Sequence, residues 1–426
     1  MSTVLTLSNS SALDAQNISN KLLKQSIIYI ADVLSYIFNL SLEQGIFPDG
    51  LKISKVIPIH KSGSSHVMSN YRPISLVSDF SKIFERIVKT RLLNFCSKHS
   101  IIIDEQFGFK QGSSTEQALT TYLNDIYNNA NKDKTTLSIF IDFSKAFDSI
   151  NHQILLKKLE FYGIRGIPLN WFKSYLNDRK QYVKINTAIS TLKFVTSGVP
   201  QGSILGPLLF NIFINDIINS SSNVKFIVYA DDTTISANSN DVKYLFRNME
   251  LALQEIYSWA ESNKLLINFN KTKFMTYSKK KGSTNLILKI NNNIISKVDS
   301  FKLLGVHIDP NLNFKNHVDF ISQKIYRSLR IINKLKHFLL KSTLIILYYS
   351  LIFSHLYYCN IIWGSTFKTY LQKIYSVQKK FCYTVKSIYP TLHNTDIENC
   401  FNKLKIRTIF ELNIYKAAIF FFIKSL

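Results

Sequence analysis

Three carboxylates in this 426-residue chain stand where they could share divalent cations. Asp142 closes the apolar run Ser-Ile-Phe-Ile, so a buried strand would present it at a sheet edge. Asp231 and Asp232 fall in Tyr-Ala-Asp-Asp, between two short β-rich runs, Phe226–Tyr229 and Thr233–Ser236. Neighbours in a strand point to opposite faces, but at a tight turn both can approach one site. Such an oxygen-only set selects Mg2+ or Mn2+. Two ions, about 4 Å apart, would clamp the entering and leaving oxygens of a phosphoryl transfer. An isolated Asp-Asp pair is more often a solvated turn, so its surroundings decide.

Those surroundings are four motifs in order: FIDFSKAFD from Phe140, SGVPQGSILGPLLFN from Ser197, YADDT from Tyr229 and KLLGVHID from Lys302. In the second, Gly198, Gly202 and Gly206 let backbone approach a ligand closely. Gln201 can hydrogen-bond without charge, and Pro207 starts an apolar helix over 208–218. Upstream, VIPIHKSGSSHVMSNYRPISL carries Lys61 and Arg72, just after Lys55. A guanidinium matches phosphate oxygens bidentately, which makes Arg72 the strongest of the three for a triphosphate. Lys271 and Lys273 follow a helical stretch, and the sequence does not choose between them.

On these motifs the chain resembles the reverse transcriptase region of non-LTR, LINE-type (jockey/CR1-like) retrotransposons. The resemblance begins around Ile18–Lys24, is clear from Phe47 and runs to near residue 412. It implies an α+β right-hand polymerase: α/β fingers, an antiparallel-sheet palm bearing the YADD hairpin, and a mainly helical thumb. It places an N-terminal extension at 1–45, a reverse transcriptase domain at 46–309 (fingers 46–130, palm 131–309) and a helical thumb and C-terminal region at 310–426. The implied reaction is RNA-templated attack of a primer 3′-OH on a deoxynucleoside triphosphate. Its partners would be an RNA template, a DNA primer and dNTPs, and its cofactor two Mg2+ (or Mn2+) ions. Asp142, Asp231 and Asp232 become metal ligands, with Lys271 or Lys273 the general acid. Arg72, Lys61, Phe143, Phe147, Gln201 and Gly202 would bind the nucleotide, Phe147 by excluding a ribose 2′-OH beside the small Ala146. Pro200, Gln201, Tyr229, Leu304, Gly305, Arg327, Arg330 and Lys334 would hold primer and template. Asp148 reads as a cap of the next helix.

The elements that must position these residues are legible in outline. Apolar spacing gives a helix over 22–44 stopped by Gly45, and amphipathic helices over 81–99 and 115–131. Residues 52–59 and 137–141 read as strands, 153–162 as a helix, and 183–189 with 193–196 as a hairpin. A helix over 242–263 precedes strands at 265–269 and 273–277. From Phe314 onward nearly everything is helical, with Arg327, Arg330, Lys334 and Lys341 forming a stripe suited to a duplex backbone. Residues 342–367 lack any Asp, Glu, Lys or Arg. Asn, His and Ser within that run favour a buried core helix over a membrane span.

Composition bounds the alternatives. Lys and Arg exceed Asp and Glu by 24, which points to a polyanionic partner, although AT-rich coding also inflates lysine. Cys96, Cys359, Cys382 and Cys400 stand far apart, arguing against zinc ribbons and disulfides. Residues 1–20 read as loose and carry no secretory pattern, so an intracellular protein, nuclear or cytoplasmic and without stable membrane association, is expected. Lys279-Lys280-Lys281 is too short to serve as a nuclear signal. No endonuclease or zinc knuckle of the family is found, and SSALDAQNIS stands where an N-terminal motif would be, so a fragment or truncated copy is expected. A catalytically inactive RNA-binding relic and a maturase-like protein remain open as alternatives.

Overall fold

The computed structural model describes residues 2–5, 9–10, 13–14, 16–279, 287–389 and 396–424. Lys280 and Lys281 lie outside them. The fold is α+β, organised around the strand Thr135–Ile141, all seven residues of which are buried. Alternation explains why this strand is apolar on both faces. Leu137, Ile139 and Ile141 enter one hydrophobic core, whereas Phe140 enters a second.

Six strands form this central sheet, in the order Leu288–Ile290, Asn293–Lys297, Lys273–Tyr277, Thr135–Ile141, Asp232–Ser239 and Lys225–Tyr229. All neighbours are antiparallel except Asn293–Lys297, which runs parallel to Lys273–Tyr277. The first core fills one face, where helix Val242–Ser262 contributes Leu245, Phe246, Met249, Leu253 and Ile256. The second core covers the other face with Leu119, Tyr122, Leu123 and Ile126 of helix Thr115–Asn131 and with the C-terminal helices.

A smaller sheet pairs Tyr71–Val77 antiparallel with Ile53–His60, which runs parallel to Lys180–Ile185. Helix Asn20–Gln44 closes on Gly45 at φ 69°, a left-handed value that glycine adopts without a Cβ penalty. Its buried Phe38 stacks on Phe84 of helix Asp79–Lys98, with ring centroids 4.3 Å apart. Among the described residues this is the one helix long and apolar enough to cross a membrane, yet its opposite face (Leu22, Tyr29, Val33, Tyr36) is exposed.

Four expectations need correction. Residues 265–269 form no strand, only an isolated bridge between Ile267 and Phe143. The uncharged run 342–367 is not one buried helix. It breaks into Lys341–Tyr348, a π-turn Tyr349–Phe353, Ser354–Tyr357 and Asn360–Trp363, with Ile346 and Phe367 exposed. Charge-free composition reported neither the break nor the outward face. The described residues before Asn20 are not simply loose. Buried Asp14 accepts the Asp79 amide at 2.8 Å, and Lys55 donates to the carbonyls of Leu13 and Asp14. Lys55 is thereby spent on the N-terminal segment, not on a ligand. The cysteines are free and buried.

Candidate functional site

Strand register brings the three aspartates to one end of the central sheet. Ile141 pairs with Thr233, so one further step sets Asp142 opposite Asp232. Tyr229 pairs with Asp232 across a two-residue loop of Ala230 and Asp231. Ala230 holds φ 56°, a value costly for a residue with a Cβ. The segment Glu105–Gly108 compels that shape. Gln106 Oε1 accepts the amides of Gly108 (2.8 Å) and Ala230 (3.0 Å). Phe107 donates its amide to Val228 O at 2.8 Å. A Cβ on Gly108 would stand 2.4 Å from the Ala230 nitrogen, so only glycine fits against this turn. Sequence reading missed Gln106 and Gly108; the one available signal was a glycine between Phe107 and Phe109.

The carboxylates sense one another. Burial lifts the Asp231 carboxyl above its ordinary range; Asp142 adds to the rise, while Arg72 and Lys61 pull it back. Asp232 is pushed up to about 6, first by burial and then by Asp231 and Asp142, although its side chain keeps an exposed face. Asp142 Oδ2 is buried and accepts no hydrogen bond; the nearest cation is Lys271 Nζ at 3.7 Å. Among the described residues no three His, Cys, Asp or Glu side chains are drawn into a closed metal cage. Like charges without a counter-ion repel. The donor set still fits a hard divalent cation: carboxylate oxygens only, mutual repulsion that a cation would relieve, and one buried oxygen without a donor.

Cationic side chains converge from two directions. Arg72 and Lys61 sit at the open end of the Ile53–His60 and Tyr71–Val77 ribbon, where Ile59 pairs with Arg72. Both are exposed and act on Asp231. The structure separates the two lysines that the sequence left equal: Lys271 faces Asp142, whereas Lys273 Nζ donates to Ser296 Oγ at 3.3 Å. Phe143 is 5 % exposed, its ring packed in the first core and its backbone bridged to Ile267. Phe147 is half-buried, stacked on Phe210 with centroids 4.4 Å apart and met edge-on by Phe109. Ala146 is buried beside it.

The Pro200–Gly202 loop is fixed from three sides. Gln201 Nε2 donates to Asp148 Oδ1 at 2.8 Å, so Asp148 orients the glutamine; Asn151, not Asp148, caps helix His152–Phe161. Ser75 donates its amide to Gln201 O at 2.8 Å, and a Cβ on Gly202 would lie 2.4 Å from Ser75 O. Fully buried Glu85 accepts the amides of Ile204 (2.6 Å) and Leu205 (3.1 Å). Pro200 O accepts the Ser203 amide and hydroxyl within the same turn. Glu85 and Ser75 also escaped the sequence reading, because nothing local marks a buried acid on an amphipathic helix as a loop anchor.

Leu304 and Gly305 form the turn between strands Phe301–Leu303 and Val306–Ile308. A small crevice lined by Tyr229, Asp232, Leu303 and Leu304 joins this turn to the aspartate hairpin. Arg327, Arg330 and Lys334 are exposed on another element, helix Lys315–Leu335, with Arg330 lying over the Tyr326 ring.

Comparison with known proteins places this geometry. Residues 59–308 match the family model described as reverse transcriptase (RNA-dependent DNA polymerase). The chain is 29 % identical over 341 residues to a probable RNA-directed DNA polymerase from transposon BS of Drosophila melanogaster, covering 76 % of this chain and 37 % of that protein. It is 29 % identical over 383 residues to the RNA-directed DNA polymerase from mobile element jockey of the same fly, covering 86 % and 41 %. The chain thus spans about two-fifths of these relatives' length. A solved telomerase from Candida tropicalis aligns with a TM-score of 0.45 at 13 % identity, over 90 % of this chain and 68 % of that one. With over half of its residues within the matched domain, and with transposon polymerases among its relatives, the chain belongs to the reverse transcriptase family, on its LINE-type, non-LTR retrotransposon branch.

Proposed function

We propose that the chain is an RNA-directed DNA polymerase that extends a DNA primer on an RNA template with dNTPs. The observation that carries the reading is the meeting of Asp142, Asp231 and Asp232 at one sheet end, with Lys61, Arg72 and Lys271 turned toward them. Residues 46–130 would act as fingers, 131–309 as palm and 310–426 as thumb. Asp142 and Asp231, with Asp232 assisting, would hold two Mg2+ ions, the metal type the family generally uses. When bound, these ions supply Lewis-acid polarisation of the phosphate and neutralise its developing charge.

The chain's own groups supply the rest. Arg72 and Lys61 grip the triphosphate and orient its α-phosphate for in-line attack. Lys271 is the general acid, giving a proton to the leaving pyrophosphate oxygen. Phe147, backed by Phe210, fills the volume of a ribose 2′-OH and selects deoxynucleotides. Gln201, held by Asp148, meets the nascent pair. Arg327, Arg330 and Lys334 carry the duplex backbone.

The test is primer extension on poly(rA)/oligo(dT) with Mg2+ and dTTP, beside Asp231→Ala. Extension by the wild type alone, abolished by EDTA, supports the reading. No extension by either protein, with salt-dependent RNA binding retained, refutes it and leaves an RNA-binding relic.

A further inference from the structure

We propose that Tyr358 is a positioning residue: it clamps the Leu304–Gly305 turn against the aspartate hairpin and so fixes where a primer 3′ end rests. The inference rests on the polymerase reading above. Tyr358 itself lies outside the four motifs.

Leu304 and Gly305 both hold left-handed backbone, at φ 45° and 88°. Leucine disfavours that region because its Cβ crowds the following carbonyl. The turn therefore needs an external hold. Tyr358 Oη donates to Leu304 O at 2.6 Å, across 54 residues of sequence. The phenol also approaches the glycine closely, since a Cβ on Gly305 would stand 3.1 Å from Tyr358 Cε1. A Cβ at 305 would crowd the ring and strain the backbone at φ 88°.

Tyr358 is itself held firmly. It ends helix Ser354–Tyr357 and precedes Cys359, which sits at φ 49°. The Trp363 indole, fully buried, donates to Tyr358 O at 3.0 Å. Burial, with Cys359 and Tyr229 nearby, pushes the Tyr358 hydroxyl up to about 12, so it remains an O–H donor at working pH. Tyr229 belongs to the aspartate hairpin. On its other side the turn borders the crevice shared by Tyr229 and Asp232. One side chain from the C-terminal region thus sets the spacing of two hairpins, neither of which reaches the other by backbone pairing.

Tyr358→Phe in the full chain removes one hydroxyl and keeps the ring. Two measurements separate the claims. Hydrogen exchange of residues 301–308 reads the clamp, with no need of activity. Steady-state extension on poly(rA)/oligo(dT) reads the consequence, as kcat against KM for dTTP. The expected result is faster exchange across the turn, and kcat lowered about tenfold with KM for dTTP and the melting midpoint unchanged. Unchanged exchange overturns the clamp. Faster exchange with unchanged kcat overturns the positioning role. Faster exchange in a chain whose wild type extends no primer overturns the polymerase reading, and the positioning role with it, while the clamp stands.

Discussion

Glu85 offers the sharpest test of how the Gln201 loop is held. Its carboxylate is fully buried, with Oε2 accepting two loop amides and Oε1 accepting the Ser81 hydroxyl at 3.0 Å. Glu85→Ala leaves the amides of Ile204 and Leu205 buried without acceptors. Each stranded group costs about 1–3 kcal/mol, and the cavity adds to it, so a loss of roughly 3–6 kcal/mol is expected. Glu85→Gln keeps an oxygen for the amides and offers an NH2 to Ser81 Oγ. Only the charge assistance goes, worth roughly 1–2 kcal/mol over two bonds. Exchange of the Ile204 and Leu205 amides should therefore accelerate at least 100-fold in the alanine variant and about tenfold in the glutamine variant. Urea midpoints should fall in the same order. Equal exchange in both variants, or wild-type exchange in either, would show that the carboxylate does not hold the loop.

Other expectations follow from individual side chains. Phe147→Ala should raise ribonucleotide incorporation by about one to two orders of magnitude relative to deoxynucleotides, measured by single-nucleotide extension; unchanged discrimination would remove Phe147 from sugar selection. Arg72→Ala should raise KM for dTTP about tenfold or more with primer–template affinity unchanged, because a bidentate phosphate contact is lost. Replacing Arg327, Arg330 and Lys334 with Ala should flatten the slope of log affinity against log salt for duplex by about 2–3 units if all three meet phosphates. His317 is 2 % exposed and held down to about 3, mainly by burial, with His307, Lys302 and Lys324 adding to it. A histidine kept neutral in the fold stabilises it fully above its unfolded value near 6.5, and that stability is lost as pH falls toward 3. The wild-type unfolding free energy from urea titrations should therefore drop below pH 6.5, by up to about 1.4 kcal/mol per pH unit, and His317→Asn should flatten the drop.

What was legible in the sequence follows from where each signal resides. Helix Thr115–Asn131 was read to the residue, because Ser114 caps it locally and its apolar face repeats every turn. The aspartate hairpin was legible because short β-rich runs flank a two-residue loop. The supports of the site were not legible, since Gln106, Ser75, Glu85 and Tyr358 act through contacts formed only when distant segments meet. Lys271 and Lys273 differ by two positions, and only the strand beginning at Lys273 turns one toward Ser296 and leaves the other near Asp142. The reading of Asp148 as a cap failed because a local role looked sufficient, whereas the carboxylate accepts from Gln201, 53 residues on.

The docking of the N-terminal segment has a practical consequence for recombinant expression. A protein cut to residues 59–308 would keep Asp142, Asp231 and Asp232 and nearly all of the four motifs, and still lack much of what folds them. The cut falls within strand Ile53–His60 and discards Asp14, which accepts the Asp79 amide. It removes Phe38 and Phe47 from the stack on Phe84. At the other end it strips helix Lys315–Leu335, with its buried Val318, Ile321, Ile325 and Leu329, from the second core. Such a truncated product should collect in inclusion bodies, because the span that marks the family is shorter than the span that folds.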